Sequence, residues 1–261
     1  MDLDRLRAIV VFDIDGVVRD VSKSYRRAIA DTVEEFSAGA YRPEMADIDE
    51  LKSEGIWNND WQASQELAYR YYESQGISRT ENPIDYDAVV SFFQAKYRGK
   101  NPELFDGYIA SEPLLMSKEY LATLTHNSIG WGFFSGATRG SAEYVLEHRL
   151  GLKDPVLVAM EDAPGKPNPK GLFMALKQIT NLIDVPAIYV GDTVADMQTA
   201  IEAKTEKPEG TFIGVGVLPP HVQTSPTVQQ SYAQNLKNSG AAVVLDNVQQ
   251  LDVKTIDTLI I

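Results

Sequence analysis

Residues 8–20, AIVVFDIDGVVRD, constrain the fold more than any other stretch. Ala8, Ile9, Val10, Val11 and Phe12 form an unbroken apolar run, mostly β-branched or aromatic, which is how a strand buried on both faces reads. Asp13 and Asp15 follow directly with one residue between them, and Gly16 permits a sharp turn. In open parallel sheets, ligands sit just beyond the carboxyl ends of the strands. Two acids at that end, on a rigid element, therefore read as a site. Asp-x-Asp-Gly also occurs in calcium loops, and acids commonly end strands, so the rest of the chain has to decide.

After Asp20 the period changes. Tyr25, Ile29, Val33 and Phe36 recur at helical spacing, with Asp20 or Ser22 as a suitable start. A Gly-, Pro- and acid-rich stretch over 39–54 reads as a connection. A second helical pattern runs through Leu67, Ala68, Tyr71 and Tyr72, and a third from Asp87 to Tyr97. Residues 103–113 read as a connector. Strand-like runs resume at 129–134, 156–160, 187–190, 211–217 and 242–245, with helical patterns at 141–150, 169–180, 194–203 and 227–238 between them. Strands alternating with helices imply crossover units and a parallel sheet. The expected architecture is α/β: a doubly wound sheet domain over 1–20 and 107–261, with a helical domain over 21–106 inserted after the first strand.

Composition narrows the chemistry. The 261 residues carry a formal net charge of −13, which argues against nucleic acid or an anionic membrane surface as the main partner. The absence of cysteine excludes disulfides and thiolate metal sites. His126, His148 and His221 lack ligand spacing, so zinc is not expected. The acidic start MDLDRLR and the short first apolar run show neither a signal peptide nor a membrane span, and the expected location is the cytoplasm. No sequence signal sets an oligomeric state.

Three further signals fall at the ends of the later strands. Ser135 and Gly136 close the run GFFSG, where a hydroxyl and the next backbone amides can bind an anionic oxygen; an ordinary serine helix cap reads the same way. Lys166 sits in GKPNP, where a fixed backbone would aim its ammonium at one spot, unless it is simply a solvated loop lysine. Gly191-Asp192 ends another strand, and Asp196 follows one helical turn on; a helix N-cap with a first-turn acid is the alternative. Together, Asp13, Asp15, Asp192 and Asp196 offer an oxygen cage for a hard cation. Magnesium fits, since it takes few carboxylates and accepts substrate phosphate. Lys166 and Ser135 supply donors for phosphate oxygens, and an unclaimed carboxylate can act as nucleophile.

At these residues the chain resembles the haloacid dehalogenase superfamily, in particular its phosphatases with a helical cap. Asp13-x-Asp15-Gly16-Val17, Ser135, Lys166 with its prolines, and Gly191-Asp192-xxx-Asp196 match the four signature motifs in order. The resemblance implies a Rossmann-like core with an inserted cap and a magnesium-dependent phosphatase acting on a small phosphorylated metabolite through an aspartyl-phosphate. A phosphomutase or a non-catalytic binding module of the same fold is the alternative. It implies that Asp13 attacks phosphorus and that Asp15 protonates the leaving oxygen and then activates water. Ser135 and Lys166 would hold the phosphoryl group. Asp13, the backbone carbonyl of Asp15, and Asp192 would bind magnesium, with Asp196 joining or orienting that shell. Asp15 also sorts the chemistry, because the dehalogenases of the superfamily lack an acid there, whereas an alkoxide leaving group needs a proton. For the substrate, Arg19, Trp57 and Asn58 are candidate contacts, and Arg139 is a candidate phosphate contact. Glu161 and Asp162 are candidates to hold Lys166 or the metal's water shell. Trp61 is expected in the core of the helical domain.

Overall fold

A computed structural model describes residues 6–57, 59–101, 104–180 and 184–261. Asn58, a candidate contact, and residue 103, the first of the 103–113 connector, lie outside the described residues. The chain divides into two compact units, one of 1–20 with 113–261 and one of 21–112.

The first unit is built on a six-stranded parallel sheet. Its strands are β1 (Ala8–Phe12), β2 (Ile129–Phe134), β3 (Leu157–Val158), β4 (Ala187–Gly191), β5 (Phe212–Val217) and β6 (Ala241–Leu245), in the order β3-β2-β1-β4-β5-β6. Every residue of β1 is buried, because the strand is central and covered on both faces. The period of two divides it: Ile9 and Val11 join a core with Leu172, Ala175 and Ile179 of one helix and Ala200 and Ala203 of another. Phe12 points the other way, and its ring meets that of Tyr120 edge-on at 6.2 Å.

These helices are α7 (Lys170–Ile179) and α8 (Val194–Glu206) on the first face, and α5 (Lys118–His126), which carries Tyr120, on the second. Also in this unit are α6 (Arg139–Glu143), α9 (Pro226–Asn238) and α10 (Val253–Ile260). The strand order runs one way from β1 through β2 and the other way through β4, so the switch point lies between β1 and β4. None of the described helices is long and apolar enough to cross a membrane.

The second unit is helical: α1 (Tyr25–Phe36), α2 (Met45–Ser53), α3 (Asp60–Ser74) and α4 (Tyr86–Tyr97), closed by a 3₁₀ turn at Tyr108–Ser111. Helix α1 packs on α3 and α4, and α2 packs on α3.

Three differences from the sequence reading have local causes. Helix α1 begins after Ser24, because residues 21–24 form a separate turn in which the N–H and Oγ of Ser24 both donate to Val21 O at 3.2 Å. The stretch read as a connection contains α2, which starts where Asp47 Oδ2 accepts from the backbone N–H of Glu44 at 2.8 Å and which buries Ile48 and Leu51. Strand β3 is shorter than the apolar run, since beyond Val158 the N–H of Ala159 goes to Asp162 Oδ2 at 2.8 Å and that of Met160 to Ala137 O at 3.1 Å.

Candidate active site

Strands β2, β1 and β4 are neighbours, so their carboxyl ends put Ser135, Asp13 and Asp192 side by side. The N–H of Asp13 still bonds Val190 O at 2.8 Å, which continues the ladder into the site. Asp13, Asp192 and Asp196 are all buried, and one carboxylate oxygen from each lies within 4.8 Å of the others.

Lys166 reaches into this group. Its Nζ stands 2.8 Å from Asp13 Oδ1 and 2.6 Å from Asp196 Oδ1. The ammonium also lies 5.6 Å from the ring centroids of both Phe134 and Tyr189, whose faces favour a cation. Burial opposes the charged ammonium, but the Asp13 and Asp196 carboxylates outweigh it and hold Lys166 well above its ordinary pKa. For Asp13, burial is the main influence. It wins over the attraction of Lys166 and, with repulsion from Asp196 and Asp15, raises the carboxyl from 3.8 to about 7.

Asp196 is held from four directions. Its Oδ1 accepts from Lys166 Nζ at 2.6 Å and Tyr189 OH at 3.1 Å. Its Oδ2 accepts from Thr193 N at 3.0 Å and Thr193 Oγ1 at 2.6 Å. The bond from Thr193 N is one half of a capping box at the start of α8, whose other half runs from Asp196 N to Thr193 Oγ1 at 3.3 Å, so the helix cap is Thr193. Tyr189 and Thr193 escaped the motif reading. The Thr-x-x-Asp spacing was a visible signal for Thr193; Tyr189 looked like one more residue of an apolar strand. Asp192 is fixed from behind, where its backbone carbonyl accepts from Tyr232 OH of α9 at 3.0 Å.

Two glycines make this closeness feasible. Gly16 has φ of +75°, and a Cβ there would lie 2.1 Å from Asp192 Oδ2. A Cβ on Gly191 would lie 2.2 Å from that of Asp196.

The donor set fits a hard divalent cation. Three buried carboxylates face one ammonium, which leaves surplus negative charge, and oxygen ligands select magnesium-like ions. Asp13 Oδ1 is buried, close to Lys166, and accepts no well-directed hydrogen bond. Gly16→Ala should therefore displace Asp192 and weaken divalent-cation affinity by about 10–10²-fold, read by calorimetric titration. Unchanged affinity would show that Asp192 takes no part in cation binding.

The other candidates are placed as follows. Ser135 is buried, and its Oγ accepts from Ala137 N at 3.1 Å, a local turn bond; Gly136 is exposed. Arg19 does not extend to solvent: it is fully buried, and its Nε donates to Asp15 Oδ1 at 2.6 Å. Arg139 is engaged by Glu143 at 3.2 Å and by Asp162. Glu161 accepts from the backbone N–H of Arg139 at 3.0 Å. Glu161 and Asp162 thus hold Arg139, whereas Lys166 pairs with Asp13 and Asp196. In the helical unit, Trp57 is half-buried and its indole N–H donates to Glu54 Oε2 at 2.7 Å. Trp61 is half-buried rather than part of the core.

Comparison with known proteins agrees with this geometry. The chain is 32% identical over 241 residues to an imidazoleglycerol-phosphate dehydratase of Phytophthora nicotianae, covering 90% of this chain and 49% of that protein, so it spans about half its relative's length. A solved hydrolase from Pseudomonas syringae matches with TM-score 0.63 and 20% identity, covering 97% of this chain and 99% of that one. A phosphonoacetaldehyde hydrolase-like protein from Oleispira antarctica matches at 0.66 and 19%, covering 97% and 92%. A β-phosphoglucomutase from Clostridium difficile matches at 0.59 and 16%, covering 98% and 97%. These structural likenesses speak for the fold. Residues 8–204 match the haloacid dehalogenase-like hydrolase family, and with its strand order and acid cluster the chain belongs to that family.

Proposed function

We propose that the chain is a magnesium-dependent phosphatase that hydrolyses a small phosphorylated metabolite through a phosphoryl group carried on Asp13. The observation that carries this reading is the buried Asp13–Lys166–Asp196 group beside Asp192, with a second acid two residues after Asp13.

Asp13 attacks phosphorus as the bond to the leaving oxygen breaks. Asp15 gives that oxygen its proton. It then takes a proton from a water molecule, which attacks phosphorus and releases Asp13. Lys166 and Ser135 hold the phosphoryl oxygens, and the Gly136 amide is a further donor. Asp13, Asp192 and the backbone carbonyl of Asp15 would hold magnesium, which neutralises the carboxylates and draws the phosphate oxygens in. The four donors on Asp196 suit it to aim Lys166 and Thr193 rather than to carry the cation.

The test is phosphate release from a panel of phosphorylated metabolites, with magnesium and with chelator. The panel should include imidazoleglycerol phosphate, because the relative's name concerns that compound. Magnesium-dependent release supports the reading and ranks the substrates. An isomeric ester without free phosphate would favour a phosphomutase. Tight ligand binding without turnover would favour a binding module.

A further inference from the structure

Arg19 is the largest wholly buried side chain among the described residues. A guanidinium cannot leave water without paired charge. Its Nε and Nη2 each lie 2.6 Å from one atom, Asp15 Oδ1. The backbone is folded to make this meeting. Gly16 N donates to Arg19 O at 2.9 Å, and Arg19 N donates to Ile14 O at 3.2 Å. The next turn is tied down on both sides of Arg19, by Leu115 N to Val18 O and Asp20 N to Pro113 O, both at 2.8 Å.

The grip is one-sided. Nε donates to Oδ1 and Nη2 stands in ion-pair contact with the same atom, whereas Oδ2 has no hydrogen-bond partner among the described residues. The Asp15 side chain is 27% exposed, so its carboxyl is only partly withdrawn from solvent. A carboxylic acid cannot keep its proton on the oxygen that accepts the guanidinium Nε–H and faces its charge; the proton belongs on the other one.

We propose that Arg19 is a positioning residue that selects Oδ2 of Asp15 as the proton-carrying oxygen and fixes where it points. This rests on the phosphatase reading, in which Asp15 protonates the leaving oxygen. In that step the Oδ2–H bond breaks as the leaving oxygen–phosphorus bond breaks, and the proton goes to the leaving oxygen. In the second half, Oδ2 recovers a proton from the attacking water. Without Arg19, the carboxyl rotates between two equivalent oxygens and loses its aim.

The leaving group reports this role. An alkoxide needs the proton, whereas p-nitrophenolate departs without it. The experiment measures kcat and KM for glycerol phosphate and for p-nitrophenyl phosphate with wild type, Arg19→Met, Arg19→Lys, Asp15→Asn and the Arg19→Met/Asp15→Asn double variant. In Arg19→Met the alkyl-to-aryl kcat ratio should fall about 10²-fold with KM little changed. Arg19→Lys, which keeps a charged donor on a more flexible stem, should bring the ratio back to within about tenfold of wild type. In the double variant, Arg19→Met should add no further loss to that of Asp15→Asn. The ratio cancels the folded fraction, so lost stability does not imitate the effect. If Arg19→Met gives no folded protein, Arg19→Gln supplies the same ratio. Equal loss on both esters, or an unchanged ratio, overturns the proposal. Release of phosphate from neither ester by wild type overturns instead the phosphatase reading beneath it.

Discussion

Asp13→Asn should abolish phosphate release, with a loss of about 10⁴-fold or more, while the chain stays folded. The amide has nearly the same shape but cannot attack phosphorus, and no other described carboxylate shares its place at the end of β1. The substitution should also expose a stability cost of the site. Burial raises the folded-state pKa of Asp13 from 3.8 to about 7, so between these values the folded chain binds more protons than the unfolded chain. Stability from this group is fully present below about pH 4 and is lost as pH rises through about 7. Desolvating the charged form above pH 7 costs up to ~4 kcal/mol, at about 1.4 kcal/mol per unit. That figure is already net of the attraction of Lys166, whose ammonium Asp196 still holds at 2.6 Å after the substitution. Without metal, Asp13→Asn should melt no lower than wild type at pH 8, and its relative advantage should vanish toward pH 4. A marked fall in Tm at pH 8 would mean that the Asp13–Lys166 pair stabilises the fold.

Removal of the divalent cation should have an effect of similar size on turnover. Chelation should reduce phosphate release to background, and added magnesium should restore it. On the proposed reading the cation would bind the carboxylate form of Asp13 and so compete with a proton that leaves near pH 7. Magnesium at 100 times its Kd should stabilise the chain by about 2.7 kcal/mol at pH 8. At pH 5, where Asp13 is largely protonated, the same concentration should raise Tm much less. An equal rise at both values would place the cation away from Asp13. Asp192→Asn should shrink the rise at pH 8 without altering the strand end that carries it.

The sheet was legible because its strands are short, apolar and placed at regular intervals between helical patterns. Ile129–Phe134 was read to the residue, and β1 declared itself as the central strand by having no polar position at all. The acids could be found for the same reason: each follows a strand end, where the apolar run stops abruptly. What the motifs could not convey was the network behind them. Tyr189 lies in an apolar strand, yet its hydroxyl bonds both Asp196 Oδ1 and Phe134 O at 3.1 and 3.2 Å. Arg19 reads as a candidate substrate contact, because sequence does not reveal that its turn folds back onto Asp15. Arg139 reads as a candidate phosphate contact, but Glu143, Glu161 and Asp162 converge on it from positions four to twenty-three residues away. Helix α2 was obscured by its own composition, since acid-rich residues near Gly and Pro resemble a loop until the capping geometry is seen.

The central claim is that Asp13 carries the phosphoryl group. The most direct measurement is mass analysis of the Asp13 peptide after acid quench of a reaction with an active ester. Asp15→Asn should be included beside wild type, since it removes the base that clears the intermediate. The account predicts a phosphoryl mass on Asp13, transient in wild type and accumulating in Asp15→Asn with an aryl ester. Phosphate release at full rate with no phosphoryl on Asp13 in either protein, and with Asp13→Asn still active, would contradict it.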